Sequence, residues 1–239
     1  MAAILYIIVP CYNEEAVLPI TAPMFLTKIN ELAAVGKISP ESRVMFVNDG
    51  SRDRTLPILR QLHEKDARVA YVSLSRNFGK EAAMLAGMDY AEGDALVIMD
   101  ADLQDPPELL PDMITWWEKG YRDVSARRRH RQGETFFKKW SSHVYYRLLK
   151  KLSPVPVQED VGDFRLLDKR CVKALCSLRE CQRYTKGLFC WIGFEKKEIL
   201  FDRPPRAAGK TKWNYWKLFN LAIDGITSFT TAPLRIAAF

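Results

Sequence analysis

The chain reads as an α/β fold with a mainly parallel sheet flanked by helices. Three features predict it. Short apolar runs recur through the first half of the 239 residues, stretches with helical spacing separate them, and a small polar cluster closes each run. Apolar runs too short for a helix fit buried parallel strands, and helices of about 12 to 15 residues between them make βαβ units. A chain of this length can bury a real core, and 48% hydrophobic with 27% charged residues is ordinary for a globular protein.

The first strand runs from Ile4 to Val9 and ends at Pro10, followed by Cys11-Tyr12-Asn13-Glu14-Glu15 and a helical stretch to about Leu32. Arg43 to Val47 is the second strand, closed by Asn48-Asp49-Gly50-Ser51, a good turn sequence in its own right. Asp53 then caps a helix to about Lys65 with Leu56, Leu59 and Leu62 on one face. The third strand, Val69 to Leu74, leads through Arg76-Asn77-Phe78-Gly79-Lys80 into a helix ending near Ala91. The fourth, Ala95 to Met99, runs into Asp100, Ala101, Asp102, Gln104 and Asp105, and Pro106 and Pro107 stop it and open the next helix. A fifth strand covers Asp123 to Ala126. There is no internal repeat and no low-complexity tract.

Composition narrows the function classes. Cys11, Cys171, Cys176, Cys181 and Cys190 are odd in number and lack C-x-x-C spacing, which argues for a reducing compartment and against zinc or a disulfide framework. No run of 18 apolar residues is present, and Ile4 to Val9 is too short for a signal peptide. A net charge of +7 suits an anionic partner: a nucleotide, a lipid head group or nucleic acid. His63, His130 and His143 show no metal-ligand spacing and are assigned no chemistry.

The informative stretch follows the fourth strand. Residues i and i+2 on an extended segment point the same way, so Asp100 and Asp102 are expected to converge. With the amide oxygen of Gln104 they form a hard oxygen site for Mg²⁺ or Mn²⁺. A bare Asp-x-Asp is also an ordinary acidic surface loop. What changes the reading is repetition. Tyr12, Asn13 and Glu14 follow strand one, Asp49 and Ser51 strand two, and Arg76, Asn77 and Lys80 strand three, all on the edge where α/β sheets bind ligands. No G-x-G-x-x-G follows the first strand and no full G-x-x-x-x-G-K-[ST] loop occurs, so a diphosphate must be held by metal and basic side chains.

The second half is more basic. Arg122, Arg127, Arg128, Arg129, His130 and Arg131 crowd the end of the fifth strand. Such a run is commonly a solvated face, but beside a metal–diphosphate site it reads as a phosphate-binding loop, since guanidinium groups match phosphate oxygens bidentately. Phe136, Phe137, Trp140, Val144, Tyr145 and Leu148 then form a stripe at helical spacing, either core or a lid.

Taken together, VPCYNEE, VNDGSRDRT, SRNFGKEAAMLAGMDYAEGD and VIMDADLQDPPE resemble the family-2 inverting glycosyltransferases of GT-A (Rossmann-like) fold. The resemblance is strongest to the polyprenyl-phosphate branch, with its bactoprenol glucosyltransferases and dolichyl-phosphate mannose synthases. DVGDFRLLDKR, RYTKGL and RAAGKTKW continue it in order, so that it covers essentially the whole chain.

The resemblance implies that Pro10, Tyr12, Glu14 and Asp49 hold base and ribose, with Lys80 and Ala101 also lining the substrate site. It implies that Asp100, Asp102 and Gln104 bind the metal. Asp160 and Asp163 are expected to bring a carboxylate back to the site, with Asp160 preferred. A polyprenyl phosphate acceptor has a second pKa of about 6 and is mostly already an anion near pH 7. It needs positive charge for positioning more than a base, so Asp160 and Asp163 would orient the sugar or the arginines. Arg127, Arg128 and Arg131 are expected to grip the acceptor phosphate, and Arg206, Lys210 and Lys212 to close over both phosphates.

Residues 1–212 are read as the catalytic domain and 213–239 as an amphipathic, membrane-proximal segment. There Trp213, Trp216, Phe219, Ile223 and Ile226 repeat at helical spacing beside lysines, which favours a membrane surface or packing on the domain or a sister subunit. Family members continue past an APLR-like segment, here Ala232 to Arg235, into transmembrane helices, so the chain reads as cut before its anchor.

The expected function is transfer of a hexose from UDP-glucose, with GDP-mannose as runner-up, to a polyprenyl (undecaprenyl) phosphate. The place expected for it is the cytoplasmic face of the plasma membrane, with a homo-oligomer left open. A metal-dependent phosphohydrolase also places Asp-x-Asp after a buried strand but lacks the Asp49 block. A sugar-nucleotide-binding scaffold without catalysis would not require Asp100 and Asp102. Nucleic acid is not expected, because the cations cluster around one pocket and no recognised module appears.

Overall fold

The computed structural model describes residues 2–129, 161–180 and 183–202. In chain order the elements are β1 (Leu5–Cys11), α1 (Leu18–Ala34), β2 (Arg43–Asn48), α2 (Thr55–Lys65), β3 (Val69–Ser73), α3 (Lys80–Tyr90) and β4 (Ala95–Ile98). A 3₁₀ turn at Pro107–Leu109 leads into α4 (Leu110–Glu118), then come β5 (Asp123–Arg128), β6 (Val161–Asp168), α5 (Lys169–Ser177), α6 (Thr185–Trp191) and β7 (Lys196–Phe201). The seven strands form one sheet in the order β3-β2-β1-β4-β6-β5-β7. Every pairing is parallel except those of β6, which runs antiparallel to both β4 and β5.

The apolar runs form strands because both faces of the sheet are covered. Ile7, Val9 and Cys11 of β1 pack with Leu18, Ala22, Phe25 and Ile29 of α1 and with Leu110 and Met113 of α4. Tyr6 and Ile8 point the other way, against Ala83, Met84 and Met88 of α3, Leu175 of α5 and Phe189 of α6. Helix α3 lies so close to β1 that a Cβ on Gly87 would sit 2.6 Å from Cγ2 of Ile8. Arg165 and Asp123 form a fully buried ion pair (2.8 Å) between β6 and β5, with the guanidinium stacked 3.6 Å from the Phe189 ring.

The order of strands fixes where a ligand can sit. From β1 the chain winds out to β3, then returns to place β4 on the other flank of β1, so the reversal of strand order falls between β1 and β4. That is where crevices open at the carboxyl edge of such sheets. Strand β1 runs through Pro10 to Cys11, two residues past the expected end, with Pro10 opposite Val47. Its missing N–H would face the β4 side, and β4's pairing with β1 ends at Ile8–Ile98, so no ladder bond is lost there. Asp53 lies two residues ahead of α2, not at its N-cap, and accepts the Thr55 N–H (3.0 Å). A true side-chain cap occurs at α5, where Asp168 accepts from the Arg170 N–H.

Candidate functional site

Two loops at the carboxyl edge hold each other. Asn13, left-handed at φ 52, donates its backbone N–H to Ser51 Oγ (2.9 Å) and accepts the Arg52 N–H on Oδ1 (2.9 Å). The Glu14 N–H donates to Thr55 Oγ1, the Glu15 N–H to Asp53 Oδ2, and Glu15 Oε2 accepts the Arg54 N–H. Asp49, almost completely buried, accepts the N–H groups of Phe78 (2.7 Å) and Gly79 (3.0 Å) on its two oxygens. Gly50, at φ 60, lets this loop approach the next: a Cβ there would lie 2.2 Å from the Arg76 carbonyl carbon. The Pro10–Glu14 turn, Asp49 and the 76–79 loop are thus one connected rim, with Tyr12 and Glu14 half-buried in it.

The charged half of the edge lies past β4. The expectation that Asp100 and Asp102 share an extended segment is not met: β4 ends at Ile98, residues 101 and 102 form a turn, and Leu103 is left-handed at φ 53. The turn is instead braced by its own carboxylates. Asp105 Oδ2 accepts the Asp100 N–H (3.0 Å) and Asp102 Oδ1 the Gln104 N–H (3.1 Å). The Ala101 side chain is buried in the core, leaving only its backbone to face a substrate.

Lys80, the first residue of α3, joins this turn to β6. Its Nζ donates to Asp100 Oδ1 (2.6 Å) and lies 2.7 Å from Asp163 Oδ2. Asp163 reaches it from an irregularity in β6: Ser125 pairs with Arg165 but Arg127 with Val161, so three residues of β6 stand opposite Ala126. Bulges re-aim side chains in this way and collect beside active sites. Of the two expected aspartates, the structure therefore brings Asp163 to the site, while the preferred Asp160 lies outside the described residues.

These charges act on one another. Burial works to neutralise Asp163, but Lys80 and then Lys186 outweigh it and hold the carboxyl well below the usual carboxylate range. Burial likewise disfavours the Lys80 ammonium, yet Asp100 and Asp163 keep it protonated well above its ordinary value. Glu81, next to Lys80, accepts the Thr185 N–H at the start of α6, and burial, then Asp163, push its carboxyl up to about 7. Burial, then Asp100, push Asp105 up to about 7.

The arginines divide. Arg127 pairs with Glu198 of β7 (3.1 Å) and Arg129 with Asp202. Arg128, on the alternate face, lies beside Gly162 of the β6 irregularity and its charge acts on Asp105. Strand alternation thus sends the Arg127 and Arg128 side chains to opposite faces of β5, Arg127 toward Glu198 and Arg128 toward Gly162. Arg131, Arg206, Lys210, Lys212 and the 213–239 segment lie outside the described residues, as does the 136–148 stripe. Sequence reading named Asp105 without a role and missed Glu81 and Lys186. Their signal was proximity to motif residues, in GKE, LQD and YTKGL, but only packing shows that they meet.

Among the described residues no group of three His, Cys, Asp or Glu side chains is poised to hold a metal. The donor set is instead two carboxylates and an amide. Gln104 Oε1 is buried and has no hydrogen-bond partner, and Asp102 and Asp100 lie two and four residues before it in sequence. Hard oxygen donors with an orphaned amide oxygen fit Mg²⁺ or Mn²⁺.

A half-sheet wound outward from β1, with an acidic turn at its reversal point and a lysine-bound aspartate returning on an antiparallel strand, has the architecture of a GT-A glycosyltransferase. The chain belongs to glycosyl transferase family 2, whose pattern matches residues 6–176. It is 44% identical to an uncharacterized glycosyltransferase of Synechocystis sp., over 97% of this chain and 71% of that protein. It is 40% identical to the prophage bactoprenol glucosyl transferase homolog of Escherichia coli K12, over 96% and 73%. Glucosyl-3-phosphoglycerate synthase from Mycobacterium tuberculosis, solved with Mn²⁺, UDP-glucose and phosphoglyceric acid, superposes with a TM-score of 0.62 at 16% identity, over 95% of this chain and 78% of that one. A Pyrobaculum calidifontis mannosyltransferase, solved with GDP-Man and Mn²⁺, gives 0.56 at 18%, over 87% and 59%. At those identities the likeness is one of fold.

Proposed function

We propose that this glycosyltransferase moves a hexose, glucose from UDP-glucose, to a polyprenyl phosphate with inversion at the anomeric carbon, at the cytoplasmic face of the plasma membrane. The observation that carries the reading is the Lys80 bridge between Asp100 and Asp163 at the β1/β4 reversal. Relatives named bactoprenol glucosyl transferase, at 39–40% identity along nearly the whole chain, support the acceptor class. Asp100, Asp102 and Gln104 would hold Mg²⁺ or Mn²⁺, which when bound offsets negative charge on the departing diphosphate.

In the transfer, an acceptor phosphate oxygen forms the new bond to the anomeric carbon as the bond from that carbon to the diphosphate breaks, and the nucleoside diphosphate leaves. The acceptor is mostly a dianion near neutral pH, its second pKa being about 6, so no proton has to be removed. Asp163 suits this chemistry because its carboxylate, held well below the usual range, is a weak base. Its work is to orient: it fixes Lys80 and presents a negative edge to the sugar. Arg128 and Lys186, whose charges act on Asp105 and Asp163, supply positive charge for holding an acceptor phosphate in line. The rim joining Asn13, Asp49 and Gly50 presents a rigid wall for base and ribose.

The test is to incubate the chain with radiolabelled UDP-glucose or GDP-mannose and a polyprenyl phosphate, then extract lipid. Label from UDP-glucose should move to the organic phase in a metal-dependent manner. Label that stays aqueous with both donors overturns the reading, and transfer from GDP-mannose alone changes the donor.

A further inference from the structure

Lys80 stands where the two halves of the edge meet. Its backbone follows Gly79, whose N–H is held by Asp49 of the donor-side rim, and its ammonium lies on Asp100 and Asp163. Asp100 is one of the carboxylates assigned to the metal, and an ammonium 2.6 Å from its Oδ1 uses an oxygen that the ion also needs. It also places a full positive charge a few ångströms from any divalent cation seated there. Lys186, whose charge acts on Asp163, and Arg128, whose charge acts on Asp105, add further positive charge nearby.

We propose that Lys80 is a positioning residue that reserves Asp100: its ammonium keeps a divalent cation from binding tightly until a nucleoside diphosphate brings compensating negative charge, so metal and donor enter as a pair. The inference rests on the metal reading above. Lys80 then keeps Asp163 as its partner, or turns to the diphosphate, and Asp100 is released to the ion. Gly79 and Lys80 are adjacent, so one short segment touches both the rim, through Asp49, and the acidic turn, through Asp100. Coupling of this kind is reciprocal, so the metal must tighten nucleotide binding by the same factor that nucleotide tightens metal binding.

Mn²⁺ binding, followed by electron paramagnetic resonance with and without UDP (and GDP in parallel), tests this without any turnover. The wild-type chain should bind Mn²⁺ weakly alone and at least about tenfold more tightly with UDP. Lys80→Gln, or Lys80→Met if the first is unstable to heat, should bind Mn²⁺ about tenfold more tightly alone and show a smaller UDP effect. Lys80→Arg keeps the cation and should behave as wild type. Adding Asp102→Asn to Lys80→Gln should abolish the gain, locating the ion. Unchanged Mn²⁺ affinity in Lys80→Gln, with UDP-dependent binding intact, overturns the role of Lys80 and leaves the metal reading standing. Failure of every form to bind Mn²⁺ beside bound UDP overturns the metal reading, and this inference with it.

Discussion

The carboxyl edge of the sheet has two halves built on opposite terms. Over β1, β2 and β3, polar side chains are spent on backbone N–H groups: Asn13, Ser51, Asp53, Thr55 and Asp49 each accept one or two. Over β4 and β6, Lys80, Asp100 and Asp163 answer mainly to one another, and Gln104 Oε1 and Asp163 Oδ1 are buried without partners. The first half is complete as it stands and its cost of reorganisation is high. The second is held by charges that redistribute when another ion or phosphate arrives. Substitutions in the first should therefore cost stability, and substitutions in the second should cost activity.

The sharpest test lies in the charged half. Asp102→Asn should lower transfer on the order of 1000-fold while thermal unfolding stays near wild type, since asparagine keeps the Oδ1 that accepts the Gln104 N–H and loses only the charge that the proposed metal role needs. Near-wild-type turnover after chelator treatment and Mg²⁺ return would break the comparison at its strongest point. Next in size, Gly50→Ala in the first half should cost about 3 kcal/mol of stability in denaturant unfolding. The added methyl must displace the Arg76 backbone, and φ 60 adds strain. An unchanged denaturation midpoint would show that this rim is soft.

Glu81→Gln probes the boundary through pH. Burial, then Asp163, raise the Glu81 carboxyl from its ordinary 4.5 to about 7 in the folded chain. Between those values the folded state keeps a proton that the unfolded state has lost, so this group's contribution to stability falls as pH rises through that window and is level above it. Glutamine removes that slope. Relative to wild type, Glu81→Gln should gain about 1 to 3 kcal/mol between pH 5 and pH 8, read from chemical denaturation at each pH. Parallel curves for the two proteins would assign the slope elsewhere. The smallest effect separates the arginines. Arg128→Ala should raise the KM for polyprenyl phosphate about tenfold and that for UDP-glucose less, whereas Arg127→Ala, whose partner is Glu198, should change neither by more than about threefold. Equal shifts for both variants would restore the grouping that the strand geometry divides.

What was legible in the sequence follows the range of the interactions. The parallel half of the sheet was readable because each strand is a short apolar run buried on both faces, and each break carries its own turn chemistry in Asn13, Gly50 or Pro106. The polar clusters were correctly placed on one edge for the same reason: a residue following a parallel strand lies at that strand's carboxyl end. Their job was less legible. Asn13 looks like a ligand-binding residue in a motif, yet its side-chain oxygen accepts the Arg52 N–H of the neighbouring loop, and no local signal distinguishes the two uses.

The sequence by itself thus determined the strand–helix alternation, the edge of the sheet where the polar clusters gather, and the acidic turn after Met99, because hydrophobic runs and turn residues act on their immediate neighbours. Tertiary structure decided that β6 enters antiparallel between β4 and β5, that its irregularity turns Asp163 toward Lys80, and that Arg127 and Arg128 part company. Those outcomes depend on register between distant segments. A shift of one residue in a strand sends a side chain to the opposite face, and it is the packing of the whole sheet that selects the register.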